Sequence, residues 1–447
     1  MSDDRKPGGR SVPSGRLSRL GVFGKLAGGV AGGVIAEGAR RLADGQRPRM
    51  SDLLLTPGNA TRVADQLAHL RGAAMKLGQM ISMDAGDMLP PELTQILARL
   101  RDNAHHMPPR QLDEMLAGEW GRDWRRRFRH FQAHPVAAAS IGQVHRAELP
   151  DGRILAIKVQ YPGVAASIDA DVDNVATLLR VSGLLPRELD IAPLLGEAKR
   201  QLHEEADYAR ELAMLDRYRA LIGDDPAYVV PSAEPELSTG RVLAMQFVDG
   251  TPIEALKDRP QEERDRAAQA LIALVLRELF AWGYMQTDPN FANYRWQADS
   301  GRLVLLDFGA TRSIATETRE GYHGLLMAGL DGNLDQLRDA AVAAGFLGAR
   351  AVERHRESID RMIGVILGEL NRPGPLDFGD RTFVAALRDE ATIVAEDRAT
   401  WHLPPIDTLF VQRKISGTAL LCARLKARVD ARSMIEAYRV TPAPELV

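Results

Sequence analysis

The sequence predicts an α+β protein, and three changes in its hydrophobic rhythm predict it. From "PGNATRVADQLAHLRGAAMKLGQMISM" onward apolar residues recur at three and four positions, the period of an amphipathic helix. Near residue 131 the period drops to two, in "AAASIGQVHRAEL" and "ILAIKVQY", which reads as two strands joined by the Pro-Asp-Gly turn. Beyond about residue 250 helical periods return, broken by short apolar runs such as "RLVLLDFGA". With 447 residues, 45% of them hydrophobic, the chain can bury a substantial core.

The elements follow in order. Residues 1–50 form a basic tail and a Gly/Ala-rich run, "LGVFGKLAGGVAGGVIAEGARRL", near the ~20 residues a spanning helix needs. Lys25 interrupts the run, but Gly24, Gly28 and Gly32 give small-xxx-small spacings that let helix backbones approach in lipid, and two copies of the chain could pair through them. Arg16, Arg19, Arg40 and Arg41 flank the run and suit anionic headgroups. Asp3 and Asp4 fit poorly with an acid-poor presequence, which favours the cytoplasmic face of a bacterial inner membrane over a mitochondrion. Residues 51–130 are a helical extension with breaks at "LPPEL" and "HHMPPR". Residues 131–250 carry the two strands, helices from about 164 to 222, and the buried strand of "GRVLAMQFVDG". Residues 251–447 hold a long apolar helix over 262–283, the "RLVLLDFGA" strand and a helical remainder.

Bulk charge excludes several classes. Fifty-seven basic against 60 acidic residues leave no global polyanion-binding signature, so nucleic acid is not expected as a partner. The single cysteine, Cys422, excludes an internal disulfide and a CxxC zinc site.

The chemistry begins at Asp307-Phe308-Gly309. Asp-Phe-Gly after an apolar strand is the Mg²⁺-binding signature of protein kinases, although the tripeptide alone is weak. A second copy, Asp377-Phe378-Gly379, has no expected strand before it and serves as an internal control. Nineteen residues before Asp307 stands Asp288 in "QTDPNFANY", whose spacing to Asn293 matches the D-x-x-x-x-N of a catalytic loop. Lys158 in "AIKVQ" takes the place of the strand lysine that contacts phosphates, its alternation with Ile157 and Val159 sending it to the opposite face. A strand lysine is more often a solvated edge charge. Such a lysine needs a helix carboxylate, and Glu211 in "HEEADYAREL" is the expected partner. Glu204, Glu205 and Asp207 read equally as a solvated helical face, with Arg200 opposite Glu204 and Arg210 opposite Asp207. Where a kinase has a glycine flap, Ala137, Ala138, Ala139 and Ser140 stand with only Gly142 remaining, so the loop should be stiffer and hinder transfer to a large acceptor.

Together these segments, with "VPSGRLSRLGVFGKLAGG", "RGAAMKLGQMIS", "AIKVQYPGVA" and "QRKISGTALLCARLKAR", resemble the UbiB-type atypical kinase-like proteins of ubiquinone biosynthesis over nearly the whole chain. The resemblance implies a bilobal kinase-like fold with an N-terminal helical extension covering the protein-substrate site. The family's KxGQ motif stands as Lys76, Gly78 and Gln79, and its ExD motif as Glu205 and Asp207, which would face the KxGQ helix and the nucleotide site with Lys76 as counter-ion. Glu204 is left as a solvated charge. One departure is Gln286-Thr287-Asp288, where related sequences often carry His-Thr-Asp. The resemblance implies ATP and Mg²⁺, a membrane lipid or quinone-like molecule, and enzymes of quinone biosynthesis as partners. Lys158 and the Ala-rich loop would contact phosphates, Asn293 and Asp307 would hold metal, Asp288 would position the attacking group, and Met245, Gln246, Phe247 and Val248 would line the adenine as a hinge. ATP hydrolysis, transfer to a protein or small molecule, and a nucleotide-gated scaffold all stay open at this point.

Overall fold

A computed structural model of the chain describes residues 107–139, 141–181, 192–380, 382–397, 400 and 404–440. The glycine-rich segment, Lys76, Gly78, Gln79 and Ser140 lie outside the described residues. The described part is mixed helix and sheet, as expected. It divides into two units, one running up to Ala213 with Ser232–Phe247, the other comprising Met214–Pro231 and the chain from Val248. A single cut near residue 250 does not describe this partition, because Met214–Pro231 already belongs to the second unit.

The first unit opens with α1 (Pro109–Trp120) and a 3₁₀ turn over Trp124–Arg127. Their Trp120, Trp124 and Phe128 pack with Phe131 in a tilted and edge-on aromatic cluster against the sheet. The sheet is formed by β1 (His130–Phe131), β2 (Ala137–Ala138), β3 (Gly142–Glu148), β4 (Ile154–Gln160) and, later in the chain, the strand Val242–Gln246. β4 is central: Lys158 stands opposite Val144 of β3 on one side and Leu243 on the other. Ile157 and Val159 are fully buried on one face, so Lys158 belongs to a buried central strand and not to a solvated edge. Helices α2 (Val164–Val181), α3 (Ala192–Glu205) and α4 (Tyr208–Ile222) follow.

The second unit begins within α4 and adds β5 (Tyr228–Val229), which lies parallel to a later strand. Next in the chain come β6 (Val242–Gln246, the sheet strand above) and β7 (Thr251–Pro252). The helix expected over 262–283 is α5 (Gln261–Leu276) continued by a π-helical turn, Arg277–Trp282, which Gly283 ends in the left-handed conformation at φ 59°. Then come β8 (Tyr284–Gln286), β9 (Tyr294–Gln297), β10 (Arg302–Leu305) and β11 (Thr311–Ser313). β9 and β10 form a hairpin, and β11 pairs with β8. The remainder is helical: α6 (Thr316–Leu330), α7 (Leu334–Ala343), α8 (Ala349–Leu370), α9 (Thr382–Glu396), α10 (Ile406–Leu425) and α11 (Ala431–Glu436). The control tripeptide does meet a strand, contrary to expectation, because Leu376–Asp377 pairs with Arg428–Val429.

Candidate functional site

In the first unit Lys158 and Glu211 meet. The ammonium donates to both carboxylate oxygens at 2.9 Å, and the residues are only 8% and 1% exposed. Tyr208 lies 5.0 Å from the same ammonium through its ring face, a cation–π contact. α4 supplies both Tyr208 and Glu211.

The acidic stretch is not one helix. α3 ends at Glu205 and α4 starts at Tyr208, with Ala206 and Asp207 between them. Asp207 is the N-cap of α4: its Oδ1 accepts the Arg210 N–H at 3.0 Å and its carbonyl accepts that of Glu211. Gln160, the last residue of β4, donates its amide to the Ala206 carbonyl at 2.5 Å and fixes the break against the sheet. The guanidinium of Arg210 therefore approaches Glu204, at 3.6 Å, while Arg200 binds Glu204 at 2.7 Å as expected. Glu204 is a half-buried bridge between two arginines and not a solvated charge.

The Ala-rich stretch is a tight hairpin, closed by the Ala139 N–H on the Gly142 carbonyl at 2.9 Å, with Ala137 and Ala138 exposed. Met245, Gln246 and Phe247 are more committed than a hinge requires. The Gln246 N–H donates to Ser232 and the Phe247 N–H to Ile154, while Met245 is buried and bridges to Ala233. Purine recognition there cannot use those two donors.

In the second unit the β9–β10 register sets the remaining geometry. Tyr294 stands opposite Leu305, and the Leu306 N–H donates to the Asn293 carbonyl, so Asn293 and Asp307 come together where the ladder ends. They line one cleft with Gln286, Tyr294, Phe308 and Lys414. The Asp307 carboxylate accepts the Gly309 N–H at 3.0 Å. Asn293 donates its amide to the Asp288 carbonyl at 3.2 Å, so its side-chain oxygen is the atom it could offer to a metal. Ala310, just before β11, holds the neighbouring loop in place, its carbonyl accepting both the Thr287 N–H and the Thr287 hydroxyl.

Arg413, Lys414 and Glu278 have no role assigned from the sequence. Arg413 in α10 reaches the Asp288 carboxylate at 3.1 Å, and its side chain is 4% exposed. Lys414 is buried beside Glu278, Tyr294 and Gln286. Burial works against its ammonium, but the Glu278 carboxylate and the Tyr294 hydroxyl outweigh that cost, and its pKa is pushed up to about 12. Burial and the same carboxylate raise the Tyr218 hydroxyl well above its ordinary value. Lys414 and Arg413 sit in the quoted "QRKISG" run, but their partners are more than a hundred residues away in sequence, so no local spacing signals the contact.

These residues fit a magnesium ion shared with phosphate. Among the described residues no group of three or more His, Cys, Asp or Glu could cage a metal alone. Asn293 and Asp307 offer two oxygens, and Mg²⁺ is commonly held by one or two protein oxygens plus water and phosphate. In the same cleft the Gln286 Nε2 is buried without a hydrogen-bond partner, a donor that an oxygen-rich occupant would satisfy.

Comparison with known proteins places these features. The family model for the ABC1 atypical kinase-like domain matches residues 99–341. "Atypical kinase coq-8, mitochondrial" of Caenorhabditis elegans is 39% identical over 434 residues, covering 94% of this chain, which spans only 57% of the worm protein. "Atypical kinase COQ8, mitochondrial" of Saccharomyces cerevisiae is 36% identical over 437 residues, covering 96% of this chain and 86% of its own. Among solved structures, Rv3197 of Mycobacterium tuberculosis, described in complex with erythromycin, matches with a TM-score of 0.58 and 25% identity over 84% of this chain and 94% of that one.

Proposed function

This chain belongs to the ABC1 atypical kinase-like family, and from that membership we propose that it is a Mg²⁺-dependent ATPase supporting ubiquinone biosynthesis at a membrane. The observation that carries the reading is the buried Lys158–Glu211 pair on a central strand. Replacing a buried ion pair by apolar side chains is often neutral or stabilising, so stability alone does not account for this one. A strand lysine held by a helix glutamate is how protein kinases contact nucleotide phosphates.

Bound Mg²⁺ would neutralise charge developing on the phosphate oxygens. In the first unit Lys158, oriented by Glu211, would contact phosphate. In the second unit Asn293 and Asp307 would hold the metal, and Asp288 would orient the attacking water. The alanine hairpin favours water as acceptor, since it lacks the glycines that let a flap reshape around a large substrate. The membrane part rests on residues 17–42, which are not among those described, and no described helix is long and apolar enough to cross a bilayer. The two eukaryotic relatives above are named mitochondrial, and the proposal is membrane association without a named compartment.

The test is phosphate release by the full chain with MgATP, with and without phospholipid vesicles, beside Asp307→Asn. We expect release from the wild type, reduced by about 100-fold or more in the variant while nucleotide is still bound. Labelled phosphate appearing on an acceptor protein or small molecule would instead make it a kinase. Nucleotide binding without release by the wild type would make it a nucleotide-gated scaffold.

A further inference from the structure

The segment from Gln286 to Asn293, "QTDPNFAN", contains no basic residue, yet the Asp288 carboxylate faces a guanidinium. That cation is Arg413, contributed by α10. Its neighbour Lys414, with a side chain 2% exposed, reaches both ends of the same segment. It donates to the Tyr294 hydroxyl at 3.1 Å, just past Asn293, and over a longer 3.4 Å to Gln286 Oε1, just before Thr287. Glu278, in the π-helical turn, anchors this arrangement. Its Oε2 lies 3.2 Å from the Lys414 ammonium as a charge contact without hydrogen-bond alignment, and its Oε1 accepts the Gln286 N–H at 2.8 Å and the Tyr218 hydroxyl at 2.7 Å.

We propose that Arg413 and Lys414 are positioning residues for the loop 287–293: Lys414, anchored by Glu278, clamps the loop at both ends, and Arg413 sets the direction of the Asp288 carboxylate. The role assigned to the loop rests on the function proposed above. Placing two charges in the core gains little net stability, whereas removing one partner strands the other. Such a pair is better explained by the geometry it enforces, because a displacement of about 1 Å at a reacting group can cost on the order of 100-fold in rate.

The test uses the full chain and the double variant Glu278→Gln with Lys414→Met, which removes both charges and strands neither. We expect its urea midpoint near that of the wild type and its amide exchange over residues 285–297 faster by about 10-fold. We further expect kcat for phosphate release to fall by about 100-fold while KM for ATP stays within about threefold. Arg413→Gln should lower kcat similarly, and Arg413→Lys should recover part of it, which a side chain that only fills space would not show. A folded double variant with unchanged exchange and unchanged kcat overturns the proposal. If the wild type releases no phosphate, the hydrolysis reading fails, and the exchange measurement still decides the clamp. If the double variant does not fold, Tyr294→Phe removes one clamp bond without touching a charge, and unchanged exchange around residues 293–297 in that variant also overturns it.

Discussion

A β-carbon at Gly142 would stand 2.4 Å from the Val159 carbonyl oxygen and 2.8 Å from the Tyr208 hydroxyl. The first neighbour is backbone of the central strand and cannot yield cheaply, while the second is the end of the side chain that also packs against the Lys158 ammonium. Gly142→Ala should therefore destabilise the protein by about 2–3 kcal/mol, read as a lower urea midpoint with an unchanged slope. The glycine surviving in the alanine stretch is needed for close approach, whatever the loop does with phosphate. The two Asp-Phe-Gly copies make a related point. Asp307 and Asp377 both accept the N–H two residues on, at 3.0 and 2.8 Å, so the tripeptide makes the same turn in both places. Only Asp307 lies in the cleft with Asn293, while Asp377 is drawn to Arg428.

Among the elements, the break between α3 and α4 matters most. A continuous helix would carry Glu205, Asp207 and Glu211 on one winding, whereas the break makes Asp207 a cap and starts a new helix aimed so that Glu211 reaches Lys158. Asp207→Ala should cost about 1 kcal/mol of stability, and Asp207→Asn, which caps equally well, should restore it. If Asp207→Asn keeps full stability but changes nucleotide binding, the charge of this motif acts beyond capping. Thermal or urea denaturation beside nucleotide titration separates the two effects. The π-helical turn before β8 belongs to this scale as well, since it carries Glu278 into the core beside Lys414.

For the whole molecule, membrane attachment should reside in the N-terminal segment. Deleting residues 17–42 should abolish co-sedimentation with phospholipid vesicles, and unchanged sedimentation would remove that part of the reading. The contact pattern also assigns Met214–Pro231 to the second unit, so α4 runs from the Lys158 partner into the unit that holds Asp307. No composition shift marks that passage, which is why a boundary placed by sequence falls elsewhere.

Much of the fold and site was legible because its signals are local. Strand alternation around Lys158, the hydrophobic run before Asp307 and the five-residue spacing from Asp288 to Asn293 each lie within a few residues, where backbone periodicity dictates which side chains share a face. Such periodicity, with the glycine near the turn, is enough to specify the strands and the turns they enter. Other charge partners were decided only in three dimensions: Arg413 on Asp288, the buried Lys414 between Tyr294 and Gln286, and the half-buried Arg210 on Glu204. Desolvation forces an ion in the core to find a counter-charge or hydrogen-bond partner wherever packing brings one, and chain distance carries no information about which it will be.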